Sequence, residues 1–595
     1  MTDVALDPSQ LEAVQIEPEE RQIVIAGPGS GKTEVVSALI EHLTEEAGVD
    51  AVDGLLVISF SNAAVNAAEG RLRAHGAAPV SVQTMDSLAA EILRELATED
   101  YKDLDFDDRV EEATRLLADD GWDRIGDLQH LIVDEVQDVV GVRADFLRSI
   151  LSAMPADAGF SLLGDPAQGI YDFQLRETRR GRGASSTTTS TQLLESVSEA
   201  HAPTLRELTG QYRASSRDSQ AAMRLRDAAL PHGDASALEG FFADLIHLGQ
   251  IEDAVDLLGS WRGSTALLTA TNGQALATAG ALRRLGVGVE IRRSAHQQVA
   301  ASWVAATLGD STTDSVSKAD FEKLISDRRP DVDAAAAWRA LRSLVGARGT
   351  EITVSSIANR VRAGRRLLPD LAQSPVADVV VSTVHRAKGL EFDNVVLLDF
   401  PVRGRAAADT EIDEVRRTQF VALTRARSYL VRADGPDDRD LRLATSPTAR
   451  RTRWYVGGHK PWMTFGFEIG IGDTEPIFDN PAPSQAHIVS EVAPGSELAL
   501  RLDVEPSTLD LPVYAVVHNG TTIARTSRMF GEDLASRIGT LERRRGTWPD
   551  LRGAQVEAIA TAASDPRPDS PWRHGLYLAP IITGLLTLDW NGAAE

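Results

Sequence analysis

Short, wholly apolar runs alternate with stretches of helical spacing along the first 435 residues. The run QIVIA (Gln22–Ala26) is followed by KTEVVSALIEHL, whose apolar positions recur with a helical period. GLLVISF, VSVQT, HLIVDE and FSLLGD repeat the theme, and TALLTAT, DVVVSTV, NVVLLDF and YLVRA continue it. Buried strands alternating with helices predict parallel α/β sheets. From about residue 295 to 375 the strands stop and the pattern turns helical and rich in Ala and Arg, which predicts an inserted helical subdomain. Beyond about residue 440 the pattern changes again. RWYVGGHKPWMTFGFEIG and PVYAVVHNGTTIARTS read as strands, the second folded at an Asn519-Gly520 hairpin turn. The polar tract RGRGASSTTTSTQ (Arg180–Gln192) reads as a loop. The predicted order is a first α/β lobe over 1–205 with a short insertion at 88–128, a second over 206–440 with the helical insertion at 295–375, and a β-rich domain over 441–595.

Composition narrows the picture. A chain of 595 residues has material for several cores, and its 43% hydrophobic and 25% charged residues are those of a globular protein. It has no cysteine, which excludes disulfides, cysteine-held zinc and thiolate-held iron–sulfur clusters. The polar, acidic start MTDVALDPSQ does not read as a secretory signal. The longest apolar run, Leu576–Leu588, falls short of the roughly 20 residues that a membrane span needs. These features predict a cytoplasmic protein without a membrane partner. The net charge of −26 argues against nucleic acid when taken over the whole chain. Local basic clusters, RETRRGR, RVRAGRR, ARRTR and ERRR, leave room for a positive channel in an acidic body.

Two motifs carry chemistry. IVIAGPGSGKTEVV (Ile23–Val36) is a strand, a Gly-rich loop and a helix start. Gly27 supplies backbone freedom where the strict pattern has another glycine at Ala26. Backbone N–H groups of Gly29, Ser30 and Gly31 would wrap a phosphate, Lys32 would reach the terminal phosphates, and the Thr33 hydroxyl would bind Mg²⁺. An ordinary strand-to-helix turn has no use for a Lys-Thr pair at that point. LIVDEVQD (Leu131–Asp138) then delivers two carboxylates at the end of an apolar strand, where parallel sheets bind ligands. Asp134 suits the Mg²⁺ shell, and Glu135 suits deprotonating an attacking water. ATP and Mg²⁺ are the cofactors these residues predict.

With those residues placed, the chain resembles the UvrD/Rep-like superfamily 1 helicases in several ordered segments between residues 7 and 430. LDPSQLEAV looks like the adenine-reading motif, with Gln10 in that role. ISFSNAAVNAAEGRL and VQTMDSLAAEIL look like segments that touch single-stranded DNA, through Ser61, Asn62 and Thr84. GDPAQGIYDF is similar to the third motif, and LTGQYRAS to the fourth. STVHRAKGLEFDNVVL and QFVALTRARSYL match the fifth and sixth. The resemblance implies that Gln168 senses the γ-phosphate and that Phe173 stacks on a DNA base. Tyr171 stands open between base stacking and core packing. It further implies Tyr212 as the adenine-stacking ring, Arg213 near the γ-phosphate, Thr383 and His385 on the strand, Glu391 on the ribose and Arg425 as an arginine finger.

The implied fold is two RecA-like P-loop lobes with a helical insertion and a β-rich C-terminal domain. The implied activity is ATP-driven 3′→5′ movement on single-stranded DNA, with tailed duplex as substrate, in DNA repair or genome defence. An alternative is an ATP-driven DNA-sensing subunit that controls a partner nuclease, docked with or without a repair protein through the C-terminal domain. Three departures bear on grip. Gln174 stands where an arginine is usual, Asp86 stands where a histidine is usual, and both insertions are short. They predict a translocase that unwinds poorly alone.

Overall fold

A computed structural model describes residues 6–59, 80, 82–97, 101, 104–119, 121–172, 175, 186–292, 299–347, 349–364, 371–372, 377, 379–400, 409–444, 449–508, 511–545 and 547–590. The chain divides into two compact units. The first takes in 1–246, 387–393 and 404–430, and the second takes in 247–386, 394–403 and 431–595.

The first unit is built on a six-stranded sheet of β1 (Arg21–Ala26), β2 (Leu55–Ser59), β3 (Val82–Gln83), β4 (His130–Asp134), β5 (Gly159–Gly164) and β6 (Thr204–Leu208). The order across the sheet is β3-β2-β4-β5-β1-β6, and every pairing is parallel. Strands β2, β4 and β5 are buried along their whole length, which is why they read as unbroken apolar runs. Alternate residues feed opposite faces. Leu131 and Val133 join a core with helices Met85–Leu96, Phe106–Asp119 and Val142–Ala153, while Ile132 joins another with helix Lys32–Glu41. The order matters for function, because β4, β5, β1 and β6 lie side by side and their carboxyl ends share one edge.

The second unit contains a parallel sheet of β7 (His247–Gln250), β8 (Thr265–Thr269), β9 (Val289–Ile291), β13 (Val379–Thr383), β14 (Phe392–Asp399) and β15 (Ala426–Asp434), ordered β7-β15-β14-β8-β13-β9. The first residues of β14 and β15 fall in the first unit. Between β9 and β13 come β10 (Ala300–Ala301), helices Ser302–Leu308, Lys318–Arg328, Ala334–Val345 and Val354–Arg362, and an antiparallel pair, β11 (Ser315–Ser317) and β12 (Glu351–Thr353). Among the described residues the stretch carries four helices, but the strands do not stop as its pattern predicts, since β10, β11 and β12 lie among them.

The C-terminal strands are β16 (Leu441–Ala444), β17 (Arg453–Gly457), β18 (Thr464–Ile469), β19 (Thr474–Pro476), β20 (Glu497–Leu502), β21 (Tyr514–His518), β22 (Thr521–Thr526), β23 (Asp550–Ala563), β24 (Leu576–Ile582) and β25 (Gly584–Asp589). They form one antiparallel, eleven-stranded sheet that includes β10. The β21–β22 hairpin turns at Asn519 and Gly520, whose φ angles of 48° and 80° are the paired positive values its tight turn requires. Arg453 is buried between Asp473 and Asp533, at 2.6 Å from each, and lies over Phe467 and Phe530. One core joins the two parts. Trp303, Phe321 and Trp338 of the helical stretch are buried in the same cluster as Phe467, Tyr514 and Phe530 of the sheet. Among the described residues no helix is long and apolar enough to cross a membrane.

Candidate active site

The loop after β1 turns into helix Lys32–Glu41 through two left-handed glycines, Gly29 and Gly31, each at φ 79°. Only glycine takes that conformation without strain. The loop is also crowded. A Cβ on Gly29 would stand 2.3 Å from Gln211 Oε1, and one on Gly31 would stand 2.5 Å from Gln10 Nε2. Ser30 N donates to Gly27 O at 3.2 Å, closing the turn. Gln10 is buried and serves twice, its Oε1 capping helix Pro8–Val14 and its Nε2 donating to Ser30 O at 3.0 Å.

Two strands away, β4 ends in Asp134. Glu135 follows with φ 58° and ψ 42°, a left-handed backbone at a residue other than glycine. Such a conformation costs about 1–3 kcal/mol and persists only where surrounding contacts hold it. Here Glu135 N donates to Asp134 Oδ1 at 2.9 Å, and Gln137 Nε2 donates to Glu135 Oε2 at 2.5 Å. Lys32 Nζ lies 2.9 Å from Asp134 and 2.5 Å from Glu135. Burial alone would lower the Lys32 pKa, but the two carboxylates outweigh it and raise the value. Burial likewise favours the neutral form of Glu135, and the charges of Lys32 and Lys388 reverse this and hold it ionised. Asp134 moves upward, with burial the larger cause. Lys32, Asp134 and Glu135 are therefore in mutual contact.

The turn after β5 lies between these strand ends. Asp165 is buried and accepts from Ala167 N, Gln168 Nε2 and Arg226 Nε. Gln168 Oε1 accepts from Arg425 Nη2 at 3.2 Å. Arg425 is wholly buried and also donates to Val421 O, Leu390 O and Thr424 Oγ1, all neutral acceptors. Burial, reinforced by the nearby Arg213 charge, pushes its pKa down.

After β6, Tyr212 N donates to Gly29 O and the Tyr212 hydroxyl donates to Asp7 Oδ2 at 2.6 Å. The Tyr212 ring is 59% exposed, which leaves a planar surface beside the phosphate loop. Arg213 Nε lies 2.5 Å from Glu391, and Arg427 holds the other oxygen of the same carboxylate. A cavity of about 400 Å³ opens between the loop at Gly27, Pro28 and Ser30 and the segment that carries Gln211 and Arg226.

The structure thus gathers Gln10, Gly27, Gly29, Ser30, Gly31, Lys32, Asp134, Glu135, Gln168, Tyr212, Arg213, Glu391 and Arg425 in one unit. Thr33 sits in the first turn of the helix that follows the loop. The strand-contacting candidates are more dispersed. Thr84 caps helix Met85–Leu96 by accepting from Ser87 N. Tyr171 is half-buried, with Lys388 Nζ 5.1 Å from its ring centre. Thr383 ends β13 and accepts from Arg386 N at 3.3 Å, and His385 follows in the short helix Val384–Ala387, both in the second unit. Ser61, Asn62 and Phe173 lie outside the described residues, as does Gln174. Asp86 is not a bare negative charge, for Arg143 pairs with it at 2.6 Å and with Asp107 at 2.9 Å.

Sequence reasoning passed over Lys388, whose ammonium joins Asp138 of the acidic motif to the backbone of Gln168. Its signal was there, since it stands inside HRAKGLEFD. Arg427 likewise stands inside QFVALTRARSYL, whereas Arg226 lies in no motif segment.

The comparisons fall on the same segments. An AAA domain model matches residues 10–174, and a UvrD-like helicase C-terminal domain model matches residues 366–432. Together they indicate a UvrD-like superfamily 1 helicase. Helicase modules of this type support ATP-driven DNA helicase activity. Among solved structures, the chain is similar to the Pif1 helicase from Bacteroides in complex with ADP-AlF3 and ssDNA, at 16% identity over 72% of this chain and 92% of that chain, with a TM-score of 0.31. It is similar also to the Pif1 helicase from Candida albicans, at 13% identity over 72% of this chain and 95% of that chain, with a TM-score of 0.37. No curated protein matches the chain. In the helicase frame, the first matched model spans the phosphate loop, the acidic strand end and Gln168, and the second spans Glu391 and Arg425.

Proposed function

We propose that the protein is an ATP-driven translocase on single-stranded DNA, moving 3′→5′, with weak strand separation of its own. The observation that carries this reading is the contact of Lys32 with both Asp134 and Glu135, beside a loop whose Gly29 and Gly31 are left-handed and crowded by Gln211 and Gln10.

The residues suit Mg²⁺-ATP. Gly29, Ser30 and Gly31 offer backbone donors at a helix start, and Lys32 offers the cation. Its ammonium now neutralises two carboxylates, a place that a phosphate-bound cation would share. Thr33 and Asp134 would hold Mg²⁺, which supplies charge neutralisation along the phosphates when bound. Glu135, ionised and fixed by its backbone and by Gln137, accepts a proton from water. The exposed Tyr212 ring stacks on adenine, and Glu391 meets the ribose. Arg213, now on Glu391, and Arg425, now on Gln168, steady charge that develops on the transferred phosphate. Gln168 then links finger and strand, because Tyr171 and Phe173 follow it in the chain.

The test is ATP turnover with and without oligo-dT, followed by unwinding of tailed duplexes over a salt series. Strong strand stimulation with poor unwinding that fades as salt rises is the expected result. A monomer that unwinds long duplexes processively at moderate salt overturns it. Turnover that no strand stimulates removes DNA from the reading. Unwinding that appears only with an added nuclease or repair protein favours the role of a controlling subunit.

A further inference from the structure

The C-terminal sheet holds a feature that the nucleotide chemistry does not use. In a chain of net charge −26, no aspartate or glutamate occurs from Leu441 to Phe467, while Arg442, Arg450, Arg451, Arg453 and Lys460 all do. Within this stretch β17 and β18 form a hairpin. At its tip and rim His459, Lys460, Trp462, Met463 and Phe465 are exposed, with Trp462 at 55% and Phe465 at 59%. Large exposed aromatics are few among the described residues, and here two stand within four residues of each other.

The tip is braced rather than loose. Arg537 donates to Gly458 O at 2.8 Å, His459 O at 3.2 Å and Thr464 Oγ1 at 3.0 Å, and its guanidinium lies 3.9 Å from the Tyr455 ring centre. Arg442 Nε donates to Gly457 O at 2.8 Å. Lys460 Nζ lies 4.9 Å from the Trp462 ring centre. Among the described residues none of these three cations meets a carboxylate. Their partners are carbonyls, a hydroxyl and rings, so their positive charge is left uncancelled. Arg450 and Arg453, by contrast, are spent on Glu532, Asp473 and Asp533.

We propose that this hairpin is a second single-stranded nucleic-acid contact, in which Trp462 and Phe465 stack on unpaired bases while Lys460 faces the phosphates. Aromatic platforms flanked by cations bind single strands without regard to sequence, because every base has a π-face. The local excess of positive charge in an acidic chain fits a polyanion better than it fits another acidic surface. The proposal deepens the translocase reading and rests on it for the presence of a strand.

The test uses the full chain and fluorescent oligo-dT, with a blunt duplex of equal length as the second probe. Trp462→Ala and Phe465→Ala should each weaken oligo-dT binding by about fivefold or more, the loss of one stacked base. Trp462→Phe should keep most of the affinity. Lys460→Ala should lower the slope of log affinity against log salt by about 0.7, one phosphate contact on a single strand. ATP turnover without DNA should be unchanged in all four variants. Unchanged oligo-dT binding in both alanine variants overturns the proposal. So does an equal loss on blunt duplex, or a Trp462→Phe variant as weak as Trp462→Ala. An effect confined to capture of a protein partner also overturns it. Failure of the wild-type chain to bind any single strand would sink the translocase reading itself, and is told apart because it needs no variant.

Discussion

Arg425 donates from Nη2 to Gln168 Oε1 across 3.2 Å, in an interior where every other partner of that guanidinium is neutral. A guanidinium whose hydrogen-bond partners are all neutral is poised for an anion. The proposed role as an arginine finger predicts that turnover falls about 10³-fold in Arg425→Ala while nucleotide binding persists. Gln168→Ala should lower strand-stimulated turnover more than basal turnover, since it cuts the tie between finger and turn. Steady-state kinetics with and without oligo-dT, beside titration with a fluorescent ADP, separate the two effects.

Lys32 and Glu135 should fail differently. Lys32→Ala removes the cation that balances the buried Asp134 and the half-buried Glu135, so both nucleotide affinity and the melting temperature of the free protein should drop. Glu135→Gln keeps a hydrogen-bonding side chain next to Lys32. It should bind ATP normally and turn it over at least 100-fold more slowly. A Glu135→Gln variant that hydrolyses ATP at the wild-type rate would show that another group activates water.

Arg453 balances Asp473 and Asp533, and all three are buried. Arg453→Met should cost about 3–5 kcal/mol, because it leaves two carboxylates without their cation. Replacing Arg453, Asp473 and Asp533 together with apolar residues of similar size should recover much of that loss. Urea unfolding of the single and triple variants checks both.

His130 sets an acid limit. Its Nδ1 meets Pro18 O at 2.7 Å, in the turn before β1, and its Nε2 meets Ser161 Oγ of β5 at 2.9 Å. Burial pushes its pKa down to about 4. A histidine depressed in the folded state binds a proton more readily once unfolded. Its contribution to stability is complete above about pH 6.5 and is lost as the pH falls towards 4. Unfolding free energy should decline between those values, and His130→Gln should flatten the decline.

Much of the first unit was legible because its strands are buried on both faces and its chemistry sits at turns. A run such as LIVDE names a strand and a site together. The phosphate loop was legible through Gly29 and Gly31, whose φ angles tolerate few other residues. What the sequence withheld are pairings across long separations. Nothing in the residues near Glu391 says that Arg213 and Arg427 share its carboxylate. Nor does the Ala-rich helical pattern after residue 300 show that its core is closed by strands from the end of the chain. Hydrophobic period reports which face is buried and is silent about the partner.

That shared core has a consequence for synthesis. Ala301 accepts from the hydroxyl of Thr561, 260 positions further along, and Ala300 pairs with the same residue across β10 and β23. At about 5–20 residues per second, a ribosome would need roughly 13–52 s to deliver β23 after β10 has been made. Through that interval Trp303, Phe321 and Trp338 wait without the sheet that covers them. The nascent chain is thus a client for chaperones over this window, and slow codons placed between the two segments would lengthen its exposure.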